Sequence, residues 1–327
     1  MGGQTDRPPV ILLAGPTATG KTTLALALAE ALGAEIVSAD SALVYRGMDI
    51  GTAKPDAVER ARVPHHLLDI REPEDTYDAS KFARDAWVAI DNIHARGRPA
   101  LLTGGTLLYL RALLDGFDPI PAVPDTVRDA VRARLQREGV QGLHARLAEV
   151  DPNAATRIHP NDPQRVLRAL EVFTASGRPL SSYQRGAATS VPAGWVALAL
   201  WPQDRECLRA RIAERFHAML EAGFVDELTR LVRRPGLTAE HPSQRAVGYR
   251  QGWEWLAGEI DFATFRTRAI AATRQLAKRQ LTGLRRFPLH ARLNAENANV
   301  SHTLQVIKDL QREQCESARR GDTTPLH

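Results

Sequence analysis

The eight residues Gly15-Pro16-Thr17-Ala18-Thr19-Gly20-Lys21-Thr22 constrain this chain more than any other segment. The continuous apolar run VILLA at 10–14 precedes them and reads as a buried strand. KTTLALALAEAL at 21–32 follows, with helix composition and Gly33 as a natural C-terminal cap. The pattern G-x-x-x-x-G-K-T between a strand and a helix is a phosphate-holding arrangement. Glycine lets backbone N–H groups approach phosphate oxygens as a nest. The helix adds unsatisfied N–H groups and the positive end of its dipole. Lys21 brings a cation, and the Thr22 hydroxyl can hold Mg²⁺. The pattern leaves open whether the loop takes ATP or the diphosphate of another substrate.

The same alternation continues downstream. EIVSAD at 35–40 reads as a second strand, 79–95 as a helix ending near Gly97, and PALLTGG at 99–105 as a third strand. Strands alternating with helices predict an α/β fold, a P-loop-type parallel sheet core flanked by helices with right-handed crossovers. From about 118 to 190 the Pro and Gly breaks and short Arg-rich helical segments predict a helical insertion. WVALALW at 195–201 returns to strand character, and 204–286 is mainly helical. The expected organisation is therefore a core of 1–117 with 191–290, an insertion domain at 118–190, and a loosely attached polar tail at 291–327. A chain of 327 residues suits two domains at roughly 150 residues each.

Composition excludes several classes. No apolar run approaches the ~18–20 residues that span a bilayer. The start, MGGQTDRPPV, carries no apolar signal core, which argues against secretion. Cys207 and Cys315 are the only cysteines and have no metal-ligand spacing, so a cytoplasmic location is expected. Lys and Arg number 43 against 38 acids, an excess too small to imply nucleic acid by itself. The placement of the charge says more. Arg266, Arg268, Arg274, Lys278, Arg279, Arg285 and Arg286 lie in one stretch without Asp or Glu. Such a stripe is either a contact for a phosphate backbone or a solvated face.

Other candidates gather around the expected C-terminal sheet edge, where open α/β sheets place ligands. Asp40 ends the second strand and is either a general base or a turn cap. The loop at 45–55, with two glycines and two cations, is longer than a plain connection needs. Gly104-Gly105-Thr106 follows the third strand, and its hydroxyl can bond a phosphate or a base. Adjacent His65 and His66 have poor geometry for a shared metal and read as hydrogen-bonding residues. Trp253 and Trp255 read as core.

Taken together, several segments resemble the tRNA dimethylallyltransferase (tRNA isopentenyltransferase) family. They are GPTATGKT (15–22), SADSALVYRGMDIGTAKP (38–55), PHHLLDI (64–70), TGGTLLYL (103–110), IHPNDPQRVLRALEV (158–172), RAVGYRQ (245–251) and TRQLAKRQLT (273–282). The resemblance implies that residues 15–22 hold the diphosphate of dimethylallyl diphosphate, with Lys21 and Mg²⁺ near Thr22 steadying the leaving group. It implies Asp40 as the base acting on the N6 amine of the adenine 3′ of the anticodon. Contacts to tRNA are implied for Asp40, Ser41, Ala42 and Leu43, for Gly104 and Thr106, for Gln164, Arg165, Val166, Leu167 and Arg168, and for Arg245, Ala246, Val247, Gly248, Tyr249 and Arg250. Either Arg211 or Arg215 would reach the diphosphate or the loop. The insertion would close over the anticodon stem-loop of a monomeric enzyme. Thr19 stands where Ser is common, Gly283 where an aromatic is common, and Leu276 where Tyr is frequent.

Three other readings compete. An adenylate prenyltransferase acting on free AMP or ATP would have little need for the insertion and the basic stripe. A small-molecule kinase would hold ATP in the loop, yet no apolar strand ending in Asp after the second strand supplies another Mg²⁺ ligand. A non-catalytic RNA-binding NTPase would not need Asp40.

Overall fold

The structure, a computed structural model, describes residues 7–115, 123–183 and 190–320. In chain order its elements are β1 (Val10–Ala14), α1 (Lys21–Leu32), β2 (Glu35–Ser38), α2 (Ala57–Arg62), β3 (His65–His66), α3 (Ala79–Ala95), β4 (Ala100–Gly104) and α4 (Leu107–Asp115). Then follow α5 (Asp125–Val150), α6 (Pro152–Arg157), α7 (Pro163–Ser176), β5 (Trp195–Trp201), α8 (Arg205–Glu221), α9 (Phe224–Val232), α10 (Tyr249–Leu256), α11 (Phe262–Leu284), β6 (Ala291–Asn294) and α12 (Val300–Arg320). The chain divides into two compact units, Met1–Leu114 with Ala188–His327, and Asp115–Ala187.

The first unit is an α/β layer structure. Its six described strands are all parallel, in the order β3-β2-β4-β1-β5-β6. The central strands have no polar face: all five residues of β1 are buried, as parallel strands covered on both sides require. One side carries the cluster of Phe82, Tyr109, Phe224, Tyr249 and Phe265; the other carries α1 and α12 over Ile11, Leu13 and Leu198. Register then fixes the working edge. Ser38 lies beside Thr103, and Ala14 lies beside Gly104. The ends of β2, β4 and β1 therefore line up, and the residues that follow each of them emerge side by side.

Residues 291–320 depart from the expected polar tail. Ala291–Asn294 pair in parallel with Leu198–Trp201, and α12 buries Thr303 and Ile307. Gln314 Nε2 also donates to the Trp195 carbonyl at 2.9 Å. The apolar row Val300, Leu304, Ile307, Leu310 has helical spacing but is diluted by polar neighbours, which hides it from a composition-based reading. Residues 321–327 of that tail lie outside the described residues.

The second unit is helical. Asp151 is buried, capping α6 at Ala154 N and accepting from Ser181 N at 2.8 Å. Leu143 and Leu147 of α5 meet Val166, Ala169 and Leu170 of α7 in its core. Gly139 takes a left-handed φ of 69° that interrupts α5. The expected boundary at 117–118 falls outside the described residues.

Candidate functional site

The Gly15–Gly20 loop joins β1 to α1 and is locked from within. Thr19 is buried and its hydroxyl donates to the Pro16 carbonyl at 2.8 Å; Lys21 Nζ donates to the same carbonyl at 2.6 Å. A threonine in place of serine keeps this bond. Gly20 caps α1 at φ 82°, a left-handed conformation that favours glycine. Gln280 of α11 clamps the loop from outside: its Oε1 accepts from Thr17 N at 2.9 Å, and its Nε2 donates to the Gly105 carbonyl at 2.9 Å.

At the β2 and β4 ends the backbones touch. A Cβ on Gly104 would stand 2.1 Å from the Ala39 carbonyl oxygen, so only glycine fits. Thr106 Oγ1 accepts from Ser41 N at 3.0 Å, holding the turn that carries Asp40. Asp40 Oδ1 accepts from Ala42 N at 2.9 Å, which is the turn-cap role. No described residue bonds Oδ2. Asp40 therefore caps with one oxygen and keeps the other for the cavity it lines.

That cavity, of about 150 Å³, takes in Thr17, Lys21, Thr22, Asp40, Ala42, Leu43, Thr52, Gly104, Arg215, Ala246, Val247, Tyr249, Leu276 and Gln280. Burial lowers Lys21 to about 8, Asp40 opposing the shift and Arg215 adding to it. Burial also lowers the Arg215 guanidinium, with Asp40 again opposing. Two cations and one carboxylate thus share one desolvated space. The two arginines of α8 separate clearly. Arg215 reaches Thr17 Oγ1 and the Thr52 carbonyl, both at 3.3 Å, whereas Arg211 lines only the wider clefts outside the cavity.

The remaining expected residues are divided. Ala246, Val247 and Tyr249 line the cavity, whereas Arg245 and Arg250 are exposed and face Glu240 and Glu254 at 3.3 and 3.7 Å. Gly248 caps α10. Gln164, Arg165 and Arg168 are exposed on α7 of the second unit and Leu167 is half-buried. Val166 is not available for contact, being fully buried in that unit's core. All seven cations between 266 and 286 are exposed. His65 Nδ1 bonds the Val63 carbonyl and His66 Nε2 bonds Glu35, both at 2.7 Å. Among the described residues no three His, Cys, Asp or Glu cluster as a metal site would. None of the described helices is long and apolar enough to cross a membrane.

Gln280 and Ser38 had no individual role expected, and Thr52 only as part of the 45–55 loop, yet all three line the cavity. The i, i+4 spacing of Leu276 and Gln280 is the signal that could have paired them.

A family model described as IPP transferase matches residues 43–287, most of the chain. The chain belongs to this family. It is 55% identical over 282 residues to a tRNA dimethylallyltransferase of Thioalkalivibrio sulfidiphilus, covering 86% of this chain and 88% of that one. It is 53% identical to one from Thiobacillus denitrificans, covering 86% and 90%. Among solved structures it resembles the full-length tRNA isopentenylpyrophosphate transferase of Bacillus halodurans, with TM-score 0.69, 34% identity and coverage of 97% and 100%. It also resembles a eukaryotic dimethylallyltransferase acting on tRNA, with TM-score 0.74, 27% identity and coverage of 88% and 74%. The two family departures on α11 have local reasons or consequences. A Cβ on Gly283 would meet Leu107 Cδ1 at 2.4 Å, so a larger residue there requires the Leu107 side chain to turn aside. Leu276 gives the cavity an apolar wall.

Proposed function

We propose that this chain is a cytoplasmic, monomeric tRNA dimethylallyltransferase that moves a dimethylallyl group from dimethylallyl diphosphate to N6 of the adenine 3′ of the anticodon. The observation that carries this reading is the single cavity in which Lys21 and Arg215 stand near the Asp40 carboxylate. A leaving anion and an acceptor proton can both be served there. The diphosphate sits against Lys21, Thr22, Arg215 and the 15–20 backbone. The adenine, turned out of its RNA stack, enters past Thr106 and Asp40.

An adenine amine is a weak nucleophile because its lone pair is delocalised into the ring. Asp40 takes the N6 proton as the N6–carbon bond forms. The allylic carbon–oxygen bond breaks, and its electron pair leaves with diphosphate. Lys21 and Arg215 meet that charge where it develops, the most effective place for fixed cations. Thr22 is exposed at the head of α1, and its hydroxyl would be the chain's own ligand to Mg²⁺, a hard cation that takes oxygen donors. Held there, Mg²⁺ would supply charge neutralisation to the diphosphate.

Recognition of the RNA falls to Ser41–Leu43, to the exposed Gln164, Arg165 and Arg168, and to Arg245 and Arg250. The α11 cations supply phosphate contacts that position without reading sequence. The test uses purified protein, Mg²⁺, labelled dimethylallyl diphosphate and either unmodified tRNA, AMP or no acceptor. Label entering only tRNA is expected. Label entering AMP, or ATP turnover without prenyl transfer, sinks the proposal.

A further inference from the structure

Residues 49–51 belong to no helix or strand, yet their three successive N–H groups converge on one buried carboxylate. Glu227 Oε2 accepts from Asp49 N at 2.8 Å and Ile50 N at 2.7 Å; Oε1 accepts from Gly51 N at 3.1 Å and from the Tyr249 hydroxyl at 2.5 Å. Glu227 is only 1% exposed, so this anion would be costly to bury without its four donors. Burial, and then the adjacent Glu227 carboxylate, raise the Tyr249 phenol well above the ordinary tyrosine range, so it remains a donor. Shape reinforces charge. A Cβ on Gly51 would lie 2.1 Å from the ring of Phe224, which stands on the same helix as Glu227.

The next residue explains what this anchoring is for. The Thr52 carbonyl accepts from Arg215, and Arg215 also meets Thr17 of the glycine loop. Gly51, Thr52 and Tyr249 all face the cavity. We infer that Glu227 is a positioning residue for the anionic substrate: it fixes the 49–52 backbone so that the Thr52 carbonyl holds Arg215 where it meets the allylic diphosphate. This rests on the reading of Arg215 as a diphosphate ligand.

Glu227→Gln tests it. An amide offers one acceptor oxygen and turns its own N–H groups toward backbone donors. The expected result is a KM for dimethylallyl diphosphate raised about tenfold, with kcat changed far less and tRNA affinity intact. Glu227→Asp, which keeps the carboxylate, recovers much of the loss. A merely structural role would lower Tm and the active fraction and leave KM alone. The decisive measurement is a double-mutant cycle with Arg215→Lys. If Glu227 works through Arg215, the combined variant binds diphosphate no worse than Arg215→Lys alone. A folded Glu227→Gln enzyme with wild-type KM, or KM increases that multiply, overturns the inference. Should Glu227→Gln fail to fold, Glu227→Asp carries the cycle instead: its smaller KM rise must vanish in the Arg215→Lys background, and a rise that persists there overturns the inference. Wild-type protein that transfers no prenyl group would instead refute the function on which the inference rests.

Discussion

Lys21, the first residue of α1, and Lys54, in the 45–55 loop, use their charge in opposite ways. Lys54 is fully buried, and its ammonium donates to the Tyr45 carbonyl at 2.6 Å, Asp49 at 2.7 Å and Asp69 at 2.6 Å. All three donors are satisfied within the chain. Lys21 has one carbonyl partner, and burial holds it at about 8. The carboxylates repeat the contrast. Glu227 gives both oxygens to four donors, whereas Asp40 commits one. A saturated buried charge holds a fold together; an under-satisfied one beside a cavity is available to a ligand.

The largest expected effect tests the carboxylate half of this contrast. Asp40→Ala should reduce prenyl transfer by roughly 10²–10⁴-fold, the range for loss of a general base. Folding and tRNA binding should persist, since only one backbone bond is lost. Wild-type-like single-turnover rates in that variant would refute the assignment.

The lysine half separates activity from stability. Lys21→Ala should lower kcat/KM for dimethylallyl diphosphate by roughly 10²-fold, with little loss of Tm. Lys54→Ala should do the reverse. It strips Asp49 and Asp69 of a fully buried partner, at a cost of about 3 kcal/mol and several degrees of Tm. The molecules that remain folded should lose far less activity than Lys21→Ala does. Equal Tm losses in thermal melts of the two variants would break the comparison.

A pH profile sharpens it. In its proposed role Lys21 serves the diphosphate only when protonated, so kcat/KM should fall as pH rises through about 8. Lys21→Arg should abolish that alkaline limb, because guanidinium stays charged. Stability carries the opposite sign. A folded-state value below the ordinary 10.5 of lysine means a penalty that is full below about pH 8 and fades as pH rises toward that ordinary value.

Much of this was legible in the sequence, for identifiable reasons. VILLA, KTTLALALAEAL and WVALALW fold as read, because each is long and uniform enough for its period or apolar run to dominate. Asp40 and Thr106 lie just past the ends of β2 and β4 at the expected sheet edge, although β2 stops at Ser38 and leaves Asp40 in the following turn. β3 has two residues and β6 four, too few for any period to show, and both depend on a neighbouring strand. Glu227 escaped notice although it lies in line with Phe224 and Leu231 on the buried side of α9. An acid in an apolar row is a visible anomaly, but three of its four partners lie 176 to 178 residues away. Gly104 could be read as a turn, whereas its contact with the Ala39 carbonyl is a fact of strand order alone.

The smallest effect concerns α11, a helix that faces both the cavity and solvent. On α11, Leu276 and Gln280 point into the cavity, and Arg279 lies on the adjoining face, exposed and without an ion pair among the described residues. Arg268 is different, because Glu254 holds it at 3.1 Å. An exposed cation without an ion pair, on a helix that also lines the cavity, can neutralise a phosphate of the RNA; one already paired gains less. Arg279→Ala should therefore weaken tRNA binding several-fold and lower the slope of log affinity against log salt by about one. Arg268→Ala should lower that slope less. KM for dimethylallyl diphosphate should be unchanged in both, since neither side chain reaches the cavity. Equal slopes for Arg279→Ala and wild type would show that the α11 stripe is a solvated face, and that the RNA is held by the exposed arginines of α7 and by Arg245 and Arg250 instead.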